Sequence, residues 1–448
     1  MLIASCVFYM MFIPVYILIL LFTIIVDYSA GIFIENSTGS KRKVLLALSI
    51  IVNAGVLAVF KYYNFFIGNL NQFGYSFPLL KLILPIGLSF HTFQAMSYTI
   101  EVYRGRQRAE RHPGIYALHA MFFPHLAAGP IERPQNMLHQ FHEEKKFDVE
   151  NLTAGLQLIL WGLFKKVVIA DRLAVAADFA FNRPHDQTSL TLLIAVVFYA
   201  FQIYYDFAGY TLIAIGTAKT MGFDLVSNFR QPFHARNITE FWRRWHISLS
   251  TWFNDYLYTP LLIAWRGWGK WAVVLGVLFT FFISGLWHGA GWTFIVWGLL
   301  HGLAISYEFL TRKARNRLSR SIPGIFYYPV SRLLTLAYVG FAWIFFRAAN
   351  LSDAWFIVRK IGAMDSLSLV MGGHHGLPDT YLGMQFWDFA ESAGLIVILL
   401  AADLFGKNKQ MMAFLYKSRF RYVVYFLLVF SIIFLGVFKQ NRFIYFQF

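Results

Sequence analysis

His288 lies within Phe281-Phe-Ile-Ser-Gly-Leu-Trp-His-Gly-Ala-Gly-Trp-Thr-Phe-Ile-Val-Trp-Gly-Leu-Leu-His301, among the most apolar stretches of the chain. An ionisable side chain at membrane depth is costly and marks a functional site by default. Imidazole also exchanges a proton near neutral pH. A neutral histidine that packs a helix and bonds a backbone carbonyl would have the same local sequence, so the run alone leaves both readings open. A second histidine, His246, lies 42 residues upstream in Asn237-Ile-Thr-Glu-Phe-Trp-Arg-Arg-Trp-His-Ile-Ser-Leu-Ser250. A third, His301, follows His288 by 13 residues. On one continuous helix that spacing is about 220° of rotation, so the two would face different ways. Gly289 and Gly291 make such continuity doubtful.

The chemistry open to these histidines is narrow. No pair has the spacing of a helical zinc site, and neither a G-x-S-x-G elbow nor a phosphate-binding G-x-x-x-x-G-K-[ST] loop is present. The single cysteine, Cys6, excludes a Cys-cluster metal site and an internal disulfide framework, and no base is marked beside it. What remains is a histidine without an evident serine or cysteine nucleophile. That suits direct transfer: the imidazole takes the proton of an incoming hydroxyl, which attacks an already activated acyl donor such as a thioester. Holding both substrates in one dry site would supply the proximity term.

The elements that position these groups are membrane helices. Of 448 residues, 58% are hydrophobic, 19% aromatic and only 14% charged, against roughly a quarter charged in soluble domains. Mean hydropathy is +0.53. With about 20 apolar residues needed per span, segments are expected over Val7 to Ile34, Val44 to Ile67, Leu79 to Val102, Leu152 to Ala180 and Leu190 to Met221. Others follow over Trp271 to Leu286, Trp292 to Leu310, Tyr327 to Phe346, Glu391 to Phe405 and Tyr422 to Val437. The fold class is all-α and polytopic, with about ten spanning or re-entrant helices. Pro14 and Pro85 should kink or break their segments. The net charge of +16 fits loops facing an anionic cytoplasmic leaflet, and no nucleic-acid partner is expected. Basic clusters at Lys41 to Lys43, Arg104 to Arg111, Arg312 to Arg320 and Lys407 to Arg421 can all be cytoplasmic, which puts the loop Leu351 to Phe389 outside. Its His374-His375 pair has no further ligand at a recognised spacing.

Two segments fit neither span nor ordinary loop. Met121 to Pro134 is too short to cross and reads as re-entrant or interfacial. In Asn228 to Leu262, Phe241, Trp242, Trp245, Leu249 and Trp252 recur at helical spacing with Arg243, Arg244 and His246 among them, and Thr239 could cap the helix. An amphipathic interfacial helix and a basic, aromatic pocket for an anionic cofactor both account for it. No internal repeat is visible, which weakens an inverted-repeat transporter.

At this point the motifs become recognisable. Leu84-Pro-Ile-Gly-Leu-Ser-Phe, Phe122-Phe-Pro-His-Leu-Ala-Ala-Gly-Pro-Ile and Tyr205-Asp-Phe-Ala-Gly-Tyr-Thr-Leu-Ile-Ala-Ile-Gly, with Asn228-Phe-Arg-Gln-Pro-Phe, Phe241-Trp-Arg-Arg-Trp-His-Ile-Ser-Leu-Ser, Gly285-Leu-Trp-His-Gly-Ala and Phe443-Ile-Tyr-Phe-Gln-Phe, resemble the membrane-bound O-acyltransferases. The match is to the polysaccharide branch that includes the alginate O-acetyltransferase membrane subunit. It covers nearly the whole chain, 1–448, as a single transmembrane domain. The resemblance implies a ring of helices around a central tunnel, with His288 at the family's catalytic histidine and His246 at its second signature position. It carries Arg243, Arg244, Trp245 and Trp287 over as substrate-side residues only weakly. Asp206 is either a structural partner or a polar group of the tunnel. Relatives usually have one more hydrophobic segment before the part matching Met1 to Ile34, and His91 and His125 stand where other residues are expected.

The resemblance further implies a multi-pass protein of a bacterial inner membrane. It would move acetyl from acetyl-CoA, a substrate rather than a bound cofactor, toward a cell-envelope polysaccharide, with a periplasmic SGNH-type partner completing the transfer. No metal is expected. D-alanyl transfer from a carrier protein and lipid acyl transfer are alternatives on the same fold, and a proton-coupled transporter is the alternative of another class.

Overall fold

The computed structural model describes residues 1–126, 129–364, 381–405 and 419–438. Among them every regular element is helical. Seven helices are long and apolar enough to cross a membrane: Pro14–Glu35, Gly39–Gln72, Val149–Asn182, Ser189–Thr220, Lys270–His288, Trp292–Leu310 and Gly324–Arg347. Three further expected segments are also helices, over Leu88–Tyr103, Phe386–Phe405 and Phe420–Leu435. His374, His375 and the C-terminal Phe443 to Phe448 motif lie outside the described residues.

The prolines act as their chemistry requires. Pro14 opens a 3₁₀ turn that separates the Leu2–Met10 helix from Ile17–Glu35. Pro85 ends a stretch without regular structure, and the helix expected from Leu79 begins only at Leu88, after Gly87 at φ 75°. Proline has no N–H to continue a helix, and the non-helical backbone must find other partners. Side-chain amides supply them: Asn64 Nδ2 donates to Leu80 O at 2.8 Å and Asn64 Oδ1 accepts from Leu80 N at 2.9 Å. Asn71 clamps Phe77 in the same way.

The chain folds into two compact units. Unit 1 comprises Met1–Ile159, Ile213–Ser227 and Ser248–Leu257; unit 2 comprises Leu160–Leu212, Asn228–Ile247 and Tyr258–Phe448. Unit 1 is built on a buried core with Leu20, Ile34, Tyr98, Tyr116 and Met121. Inside it the Asp27 carboxylate accepts from Ser49 Oγ at 2.6 Å and Asn53 Nδ2 at 2.9 Å. Within the segment Met121 to Pro134, Phe123–Leu126 is a short helix, and Met121, Phe122, Pro124, His125, Leu126 and Ile131 are buried.

Unit 2 carries both His246 and His288, and its central feature is a helix hairpin. The Lys270–His288 helix ends where Gly289 takes an extended conformation, and Trp292–Leu310 runs back against it. The two backbones nearly touch at paired glycines. A Cβ on Gly298 would lie 2.2 Å from Phe281 O, and one on Gly285 would lie 2.4 Å from Phe294 O. Small residues that admit this approach are the usual basis of helix association in lipid. The long helices Val149–Asn182 and Ser189–Thr220 are joined within unit 2 by a buried ion network, Lys166 Nζ to Asp171 Oδ1 at 2.7 Å and to Asp206 Oδ1 at 2.6 Å. The first of these helices has a π turn over Phe164–Ala170, which contains that lysine.

Candidate functional site

The hairpin explains how His288 is held. It is the last residue of its helix, 3% exposed, and three aromatic rings enclose it. Trp287, Trp297 and Phe346 lie 4.9, 4.8 and 5.3 Å from the imidazole, all near edge-on. Trp297 comes from the returning helix, so the turn at Gly289 to Gly291 creates the enclosure. The same turn answers the spacing of His288 and His301. They do not share a helix, and the indole of Trp297 contacts both, the second at 5.1 Å.

His246 reaches this neighbourhood by a different device. The aromatic spacing over Phe241 to Trp252 suggested one helix, but the structure has two short ones, Ile238–Trp242 and Ile247–Phe253. His246 sits in the break at φ 43°, in the left-handed region. Such a conformation in a non-glycine residue is uncommon and clusters at functional sites. The first helix is capped by Asn237, whose Oδ1 accepts from Glu240 N at 2.7 Å; the expected cap, Thr239, instead donates its hydroxyl to Glu308 at 2.6 Å. Fully buried, His246 has Nδ1 3.4 Å from Asn228 Oδ1 and its ring edge-on to Phe207 at 4.6 Å. Burial pushes its pKa down to about 3, so the ring is neutral at rest. Trp287 links the two histidines, 6.3 Å from the His246 ring and 4.9 Å from that of His288. The site thus holds two imidazoles against one indole within an aromatic wall.

The model of the membrane-bound O-acyltransferase family matches residues 11–346. The chain belongs to that family. It is therefore an O-acyltransferase and a multi-pass membrane protein. It is similar to "Peptidoglycan O-acetyltransferase" of Helicobacter pylori, at 35% identity over 82% of this chain and 74% of that protein. It is also similar to "Probable alginate O-acetylase AlgI" of Pseudomonas aeruginosa, at 38% identity over 79% of this chain and 68% of that one. "Teichoic acid D-alanyltransferase" of Bacillus subtilis is 32% identical over 52% of this chain and 62% of its own length.

The other residues singled out from the sequence of this O-acyltransferase divide by environment. Trp287 lies between the histidines. Trp245 is buried and packs on Phe241 at 5.5 Å, Phe229 at 5.1 Å and Trp343 at 5.2 Å, which makes it a strut behind His246. Arg244 is held by Glu240 at 2.8 Å, while Arg243 is exposed. Asp206 is buried in its ion pair with Lys166. His91 and His125 are in unit 1, where His91 Nε2 lies 2.7 Å from Thr23 Oγ1. Sequence reasoning missed Asn228, Phe207, Trp297 and Phe346, which line the histidines. Trp297 and His301 did carry a signal: they are four residues apart, hence on one face of a helix. Among the described residues no group of three or more His, Cys, Asp or Glu could hold a metal.

Proposed function

We propose that this enzyme moves an acetyl group from cytoplasmic acetyl-CoA, across a bacterial inner membrane, toward a cell-envelope polysaccharide, with His288 as general base. The observation that carries the reading is the enclosure of His288 by Trp287, Trp297 and Phe346, with neutral His246 at the same indole. His288 takes the proton of the acceptor hydroxyl. The hydroxyl oxygen attacks the thioester carbonyl carbon, a tetrahedral oxyanion forms, the C–S bond breaks, and the thiolate takes the proton back from the imidazolium. The products are an ester and free CoA, with no change in oxidation state. The aromatic wall limits competing attack by water.

Acetyl is favoured over D-alanyl because the relatives named for acetyl transfer match more of this chain and at higher identity, 35% over 82% and 38% over 79% against 32% over 52% for the D-alanyltransferase. An SGNH-type periplasmic protein is the expected partner that passes acetyl on to the sugar. The exposed Arg243 and the basic loops suit a polyanionic donor. The test is His288→Ala in cells, with O-acetyl groups on isolated envelope polymers as the readout. Acetylation should disappear while the protein stays in the membrane at its normal level. Wild-type acetylation in that variant would remove His288 from the chemistry.

A further inference from the structure

Trp297, which packs on His288, and His301, which packs on Trp297, each carry an N–H group that the base mechanism does not use. Trp242 Nε1 donates to His301 Nδ1 at 3.2 Å. Indole N–H can only donate, so Nδ1 is the acceptor and the neutral His301 ring carries its proton on Nε2. That Nε2 is buried and makes no hydrogen bond within the protein. The same holds for Trp297 Nε1. Both residues are almost wholly buried, at 0% and 2% exposure. They are i and i+4 on the Trp292–Leu310 helix, with rings 5.1 Å apart. The neighbours of His301 are rings: Phe241, Trp242, Phe281, Trp297 and Tyr338. The Tyr338 hydroxyl is itself engaged, donating to Leu300 O at 2.7 Å. Two buried donors in an aromatic cage are costly, and native structures rarely retain them without a purpose.

We infer that Trp297 Nε1–H and His301 Nε2–H form a donor pair for the carbonyl oxygen of the acyl donor and for the negative charge that develops on it. The inference rests on acyl transfer at His288, whose ring is 4.8 Å from that of Trp297. A base beside the attacking hydroxyl deals with one proton only. As the hydroxyl oxygen bonds to the acyl carbon, the carbonyl π electrons move onto oxygen, and they return when the C–S bond breaks. Fixed donors aimed at that oxygen in a water-poor site stabilise the transition state more than the ground state. Trp242 has a supporting role: its hydrogen bond fixes the His301 tautomer so that the proton stands on Nε2 rather than Nδ1.

The test is steady-state acetyl-CoA turnover by the full chain in membrane vesicles. Trp297→Phe and His301→Phe each keep a ring and remove the donor; His301→Gln keeps an N–H. The two Phe variants should lower kcat by about a hundredfold and leave KM for acetyl-CoA within about threefold, because the lost interaction belongs to the transition state. His301→Gln should recover part of kcat. Thermal unfolding near the wild-type midpoint establishes that the Phe variants are folded. Wild-type kcat in both Phe variants, a change confined to KM, or His301→Gln no better than His301→Phe would each overturn the donor pair. His288→Ala is assayed beside them. If it is inactive while both Phe variants match wild type, only the donor pair falls. If it turns over acetyl-CoA like wild type, His288 is not the base and the reading on which the donor pair rests falls.

Discussion

His246 combines three features that a packing histidine has no need of: a left-handed backbone, full burial and an Asn228 side chain at its Nδ1. Left-handed conformation costs a side chain with a Cβ roughly 1–2 kcal/mol, and the surrounding aromatic packing holds it. Replacing the ring by alanine should lower transfer by about a hundredfold, in the range set by removing a proton-transfer partner, with the protein still folded. Asn228→Ala removes the hydrogen bond to His246, worth about 1 kcal/mol, together with the one Asn228 Nδ2 donates to Thr211, and the loss at His246 alone should lower turnover only about fivefold. Acetyl-CoA turnover in membranes measures both. Equal losses in the two variants would mean that Asn228 does more than orient the ring. The motif around His246 was legible in the sequence, but its backbone was not. Trp245 and Trp252 match a helical period as well as they match two short helices, and no periodicity encodes the break between them.

At the scale of the element, the hairpin decides where His288 lies. Its length and apolarity were readable, and Gly289 and Gly291 pointed to an interruption. That the second helix returns against the first, and so places Trp297 on His288, is a property of packing. The cause lies in Gly285 and Gly298, which were visible as residues but carried no address for their partners. A Cβ on Gly298 would meet the carbonyl oxygen of Phe281 at 2.2 Å, and backbone cannot swing aside as a side chain can. Gly298→Val should therefore destabilise the protein by about 2–3 kcal/mol, the scale of overpacking, and lower activity with it. Gly291→Ala is the control. A Cβ there has its nearest contact at 3.5 Å, and the backbone is extended, so stability should change by less than about 0.5 kcal/mol. Thermal unfolding in detergent separates the two. A Gly298→Val protein as stable as wild type would mean that the helices can part without loss.

For the molecule as a whole, the charge distribution makes a claim about sidedness that unit 2 can carry. The Arg312–Ser321 helix has five basic residues and no acidic one, and lies between the Trp292–Leu310 and Gly324–Arg347 spans. Around this end, Glu308 accepts from the backbone N–H of Ile238 at 2.7 Å, and Arg236 lies over Tyr328 at 5.3 Å. These contacts gather the segment that leads to His246 at the end that carries the basic helix, which the excess of Lys and Arg would place in the cytoplasm. At the far end of the Gly324–Arg347 span, His185 Nε2 lies 3.1 Å from Asp353 Oδ1 and its ring 4.1 Å from Phe356. That contact joins the turn after Asn182 to the start of Leu351–Ala363, two places the alternation of spans puts outside. Cysteine mapping tests this directly, because Cys6 is the only cysteine and Cys6→Ala clears the background. In intact cells a membrane-impermeant maleimide should label Ser352→Cys and leave Asn316→Cys unlabelled until the membrane is opened. Labelling of Asn316→Cys in intact cells would invert unit 2, and the His246 segment would then approach from the side opposite to a cytoplasmic acyl donor.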